Sequence, residues 1–66
     1  MLTINDRDRI EWRPGMTVRD VLDAMGYTYA LITVTVDGEL VEEDDYDHRA
    51  VPDGAALNVF HLAHGG

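Results

Sequence analysis

The 66-residue chain contains no cysteine and no lysine. Without cysteine there is no disulfide to staple a small domain and no thiolate for a zinc site. No side chain can carry a thiol, a persulfide or a thioester, so any sulfur or acyl chemistry must use another group. All five basic residues are arginines (Arg7, Arg9, Arg13, Arg19 and Arg49), so the chain cannot be linked to further copies of itself through a lysine side chain. Long apolar runs are also missing. None approaches the roughly 18 residues of a membrane span, and Met1 leads into Leu2-Thr3-Ile4 without the basic segment and apolar stretch of a signal peptide. A soluble, cytoplasmic protein is expected. Positive charge is scarce as well, with 13 acids against the five arginines and a net charge of −8. Such a surface repels phosphate backbones and anionic lipid, so neither nucleic acid nor membrane is an expected partner. Its natural complement is a basic patch on another protein.

Length limits the function further. A chain this small buries only about 60% of the surface its unfolded form exposes, leaving little volume for an enclosed cleft. No nucleophile–base–orienter set is visible, and no Gly-rich loop could cradle a phosphate. No catalytic residue is assigned and no bound cofactor is expected. A carrier, a binding module or a subunit fits better than a self-sufficient enzyme.

What is present is an apolar pattern that changes period twice. Leu2 and Ile4 share a face of a short strand, Asn5-Asp6-Arg7-Asp8 is turn-like, and Ile10 and Trp12 alternate with Arg9, Glu11 and Arg13 until Pro14-Gly15. A helix follows. Thr17 is a good N-cap with Asp20 three residues on as a capping box, and Met16 and Val21 occupy the staple positions. Val18, Val21, Leu22 and Met25 make one apolar stripe, and Gly26 sits where the chain must leave the helix. Leu31 to Val36 is rich in β-branched residues and reads as a central strand. Asp37-Gly38 is a tight-turn signal, and Glu39-Leu40-Val41 returns as a short strand. Glu42 to Arg49 is polar and irregular, with room for one helical turn. Pro52-Asp53-Gly54 is a turn, and Leu57 to Leu62 is the last strand. The expected fold is α+β: a mixed sheet of four to five strands with one main helix on one face and the last strand beside the first. That is the β-grasp, or ubiquitin-like, arrangement. It is expected to occupy residues 1–62 as one domain, with 63–66 as a mobile C-terminal tail.

The sharpest chemical feature is the end, Gly65-Gly66. Glycine makes up about 7% of average sequences, so a terminal pair arises by chance in about 0.5% of chains. Glycine gives the thinnest and freest backbone, suited to delivering a terminal carboxylate into a partner's narrow nucleotide site. Reaction there with ATP would give an acyl-adenylate, and attack by sulfide or a persulfide would leave a thiocarboxylate on Gly66. The competing reading is that the two glycines are a plain chain end.

With these pieces in place, the chain resembles the ThiS family, the sulfur carriers of thiamine thiazole synthesis, over essentially its whole length. The resemblance rests on the first hairpin, Gly15-Met16-Thr17-Val18, the run Val34-Thr35-Val36-Asp37-Gly38-Glu39-Leu40-Val41, the Pro52-Asp53-Gly54 turn and the Gly65-Gly66 end. It implies a ThiF-like adenylating enzyme that uses ATP, a persulfide or sulfide donor, and a ThiG-like thiazole synthase or other sulfur acceptor. The chain departs from the family at Glu42-Glu43, where proline and arginine are common, and at Gly54-Ala55, where Gly-Asp is common.

Other residues have two readings each. With Leu57 and Val59 in the core, Asn58, Phe60 and Leu62 face outward as a docking patch before the tail; in the opposite register Phe60 is core. His64 either contacts the partner beside Gly65 or has no role. His61 and His64 are three apart in an extended segment and therefore point to opposite sides, so no metal site is assigned. Seven acids between Asp37 and Asp47 lack the ligand spacing of a calcium loop and read as a solvated surface or a contact for a basic partner. Trp12, Tyr27, Tyr29 and Tyr46 read as core or rim aromatics. The remaining alternatives are a molybdopterin-synthase small subunit, a protein modifier joined to lysines of other proteins, and a β-grasp binding module without carrier chemistry.

Overall fold

In the computed structural model, residues 1–27 and 32–61 are described. Five strands, β1 (Leu2–Ile4), β2 (Asp8–Ile10), β3 (Ile32–Val36), β4 (Glu39–Val41) and β5 (Ala56–His61), form one sheet in the order β2-β1-β5-β3-β4. β1 and β5 are parallel and the other pairs antiparallel. The helix α1 (Val18–Met25) lies between β2 and β3 in sequence, and a short 3-10 helix covers Glu43–Asp45. This is the expected β-grasp topology, with all five strands formed. The last strand, rather than β3, takes the middle of the sheet.

Local chemistry explains the elements. Thr17 Oγ1 accepts from the Asp20 N–H at 3.3 Å while Asp20 Oδ2 accepts from the Thr17 N–H at 2.9 Å, a complete capping box. The next two orphan amides of the first turn are satisfied from the far loop: the Val18 N–H donates to the Arg49 carbonyl and the Arg19 N–H to the Tyr46 carbonyl. At the other end Gly26 has φ 74°. Its N–H donates to the Asp23 carbonyl and the Tyr27 N–H donates to the Leu22 carbonyl, the Schellman pattern. Asp37 and Gly38 have φ of 51° and 85°, the two left-handed positions of a type I′ turn, which pairs Val36 with Glu39.

One core joins helix and sheet. Val18, Val21 and Leu22 of α1 are fully buried with Leu2, Ile4, Val34 and Leu57 of the strands; Met16, Val36, Val41, Tyr46, Val51, Ala55 and Val59 complete the cluster. The second strand is shorter than the alternation predicts and stops at Ile10. Trp12 lies past its end, half-buried against the core, and its indole Nε1–H donates to the Val51 carbonyl at 2.6 Å. That bond supplies the partner a buried indole requires and takes the place of a continued ladder.

Candidate functional site

The outward face of the sheet is set by register. Leu57 and Val59 are buried, so Asn58 and Phe60 point to the other side of β5, and Phe60 is 53% exposed. Asn58 is paired with Thr35 and Phe60 with Thr33 on β3. Thr35 is in turn paired with Leu40 on β4, which is 59% exposed. A row Leu40–Thr35–Asn58 therefore crosses three strands, with Thr33 and Phe60 as the row beside it. Every side chain in this patch is uncharged in a chain whose net charge is −8.

Of the residues expected to meet a partner, the structure thus brings Asn58 and Phe60 onto one face. Leu62, His64, Gly65 and Gly66 lie outside the described residues, as do Tyr29 and Leu31. Leu40 was missed in the sequence. The signal that finds it is the Asp37-Gly38 turn, since a two-residue type I′ loop fixes Val36 opposite Glu39 and so Leu40 opposite the outward Thr35.

The acidic segment borders the β4 side. It is partly neutralised: Arg49 forms an ion pair with Glu39, and Arg19 Nε donates to Asp47 Oδ1 at 3.0 Å. Glu42 to Asp45 are exposed. Tyr46 is not part of that solvated surface. Only 4% of it is accessible, its hydroxyl donates to the Ile32 carbonyl at 3.4 Å, and Arg19 stands 5.6 Å from its ring centre. Burial pushes its hydroxyl above the usual tyrosine range; Glu43 and Glu42 add to the push and Arg19 opposes it. Among the described residues, no group of three His, Asp or Glu side chains comes together to hold a metal ion.

Comparison with known proteins agrees with this fold. The model of the ThiS family matches residues 2–66. The crystal structure of the thiamine biosynthesis protein ThiS from Geobacter metallireducens superimposes with a TM-score of 0.79 at 28% identity, covering 98% of this chain and 97% of that one. A solution structure of a thiamine biosynthesis protein from the same organism gives a TM-score of 0.72 at 30% identity, covering 98% of this chain and 85% of that one. The match in sequence runs almost from end to end and the match in fold covers nearly all of the chain: it belongs to the ThiS family, the sulfur carriers of thiamine biosynthesis.

Proposed function

We propose that this chain carries sulfur as a thiocarboxylate on Gly66 and delivers it to thiazole formation. The observation that supports this reading best is that the family match extends to residue 66 and so takes in Gly65-Gly66 as well as the folded domain.

The chemistry follows from the terminal group. A carboxylate is a poor electrophile. Attack of a Gly66 carboxylate oxygen on the α-phosphorus of ATP forms an O–P bond and expels pyrophosphate, giving an acyl-adenylate. Sulfide then attacks the acyl carbon, AMP leaves with the shared oxygen, and a thiocarboxylate remains. With a persulfide as donor, the acyl disulfide formed first is cleaved by a second thiol. The ThiF-like enzyme holds the ATP and supplies the catalytic groups; this chain is its co-substrate. The carrier then presents the sulfur to a ThiG-like synthase.

In this reading the outward face is the docking surface. Phe60, Leu40, Asn58 and Leu62 meet the adenylating enzyme. His64 and Gly65 form the arm that reaches the nucleotide site. The acidic segment beside β4 faces basic residues on the partner.

The test is intact mass spectrometry of the chain after incubation with ATP, sulfide and a ThiF-type enzyme of demonstrated activity. A gain of about 16 Da, one sulfur for one oxygen on the carried group, mapped to Gly66 by fragmentation, is the expected result. An unchanged mass would remove the carrier reading, as would normal loading of a variant with a residue appended after Gly66.

A further inference from the structure

We propose that Asn5 is a positioning residue for the sulfur-carrying terminus, acting through β5; the inference rests on the carrier reading above. β5 is the strand that leads to the C-terminal residues; β3 pairs with it as far as His61, whereas β1 pairs with it only as far as Leu57. In a parallel pair, alternate residues of one strand turn both their N–H and C=O groups to the neighbour. Toward β1 those residues are Ala55, Leu57 and then Val59: the Thr3 N–H donates to the Ala55 carbonyl at 3.1 Å and the Asn5 N–H to the Leu57 carbonyl at 2.8 Å. The next rung would need a carbonyl opposite Val59. The backbone has already turned away there, because Asn5 and Asp6 have φ of 55° and 56°. The Asn5 side chain supplies the acceptor instead, with Oδ1 2.7 Å from the Val59 nitrogen. The ladder is extended by one rung just before Phe60.

Asp37 makes the same substitution at the opposite end of β5. It too has a positive φ, and its Oδ1 accepts from the Ala56 N–H at 2.9 Å. Asp37 secures the entrance to β5 and Asn5 secures its exit. Only the exit governs the direction in which the carrier arm leaves the sheet. β5 is then held on the β3 side as far as His61 and on the β1 side as far as Val59, which fixes the end of the strand from which the carrier arm departs. Loosening that rung lowers the fraction of molecules ready to enter the partner's site, which raises the apparent KM by the inverse of that fraction and leaves turnover at saturation unchanged.

Asn5→Gly isolates the bond, since glycine keeps the left-handed backbone and lacks the acceptor. Asn5→Asp retains both. Thr17→Ala, at the helix cap, serves as a variant that loses stability without touching β5. Two quantities are read: hydrogen exchange at the Val59 amide, and KM and kcat for the chain as substrate of a ThiF-type adenylating enzyme. We expect Asn5→Gly to lose protection at Val59 and to raise KM about fivefold with kcat unchanged. Asn5→Asp should restore both quantities, and Thr17→Ala should leave KM at the wild-type value. Normal loading of the wild type together with an unaltered KM in Asn5→Gly would overturn the positioning role alone, as would an equal KM rise in Thr17→Ala. A wild-type chain that is never loaded would overturn the carrier reading and this role with it.

Discussion

Tyr46 shows how one residue can contradict its surroundings in sequence. It stands among Glu42, Glu43, Asp44, Asp45 and Asp47, a composition that reads as solvated, yet its ring is in the core. A buried phenol disfavours its charged form, and the neighbouring carboxylates disfavour it further. The sign of the pH effect follows. Because the folded-state value is raised, the fold favours the neutral hydroxyl. The associated stability is fully present below the ordinary tyrosine value of about 10 and is lost as pH rises through the higher folded value. The Tyr46→Phe variant keeps the ring and removes the hydroxyl that donates to the Ile32 carbonyl. It should cost about 0.5–1.5 kcal/mol at neutral pH. Urea midpoints of the two proteins should then converge as pH climbs past the tyrosine range. Parallel curves throughout would show that the hydroxyl has no linkage to folding.

The helix α1 is the element that sequence alone specifies best. Its start, its stripe and its stop are all local: Thr17 and Asp20 bond each other across one turn, Val18, Val21 and Leu22 recur at helical spacing, and Gly26 takes the left-handed conformation. The Asp37-Gly38 hairpin is legible for the same reason. What escapes the sequence is non-local. The Arg49 and Tyr46 carbonyls that cap Val18 and Arg19, the Asn5 amide on Val59 and the Trp12 indole on Val51 each join residues far apart in the chain. No period or turn motif encodes such a pairing. The outward side of β5 was legible once Leu57 and Val59 were placed in the core, whereas Leu40 needed the hairpin register as well. Two predictions belong at this scale. Thr17→Ala should cost about 1 kcal/mol of stability while leaving the helix in place by circular dichroism, since the far-loop carbonyls still hold two first-turn amides. Leu22→Ala, which empties the contact between α1 and the sheet, should cost about 2–5 kcal/mol. Equal losses for the two would mean that the helix is held by its cap rather than by its buried face.

At the scale of the whole molecule, the proposed docking divides the labour of finding a partner and keeping it between charge and the uncharged face. A net charge of −8 on 66 residues creates a field that acts before contact. At 0.15 M ionic strength that field is screened over about 8 Å. In the proposed docking, the exposed Phe60 and Leu40 act only once the surfaces meet. The two contributions should separate kinetically in binding to a ThiF-type enzyme followed by stopped-flow fluorescence. Raising ionic strength from about 0.05 M to about 0.5 M should slow association about tenfold and leave dissociation nearly constant. Phe60→Ala should do the reverse, speeding dissociation about tenfold or more, as loss of an aromatic anchor does, with association little altered. Because Phe60 is already more than half exposed, the variant's folding stability should stay within about 0.5 kcal/mol of the parent. An association rate indifferent to salt would mean that the acidic surface does not steer the encounter. A dissociation rate indifferent to Phe60→Ala would mean that the partner grips another face, and the docking surface would have to be sought away from β5.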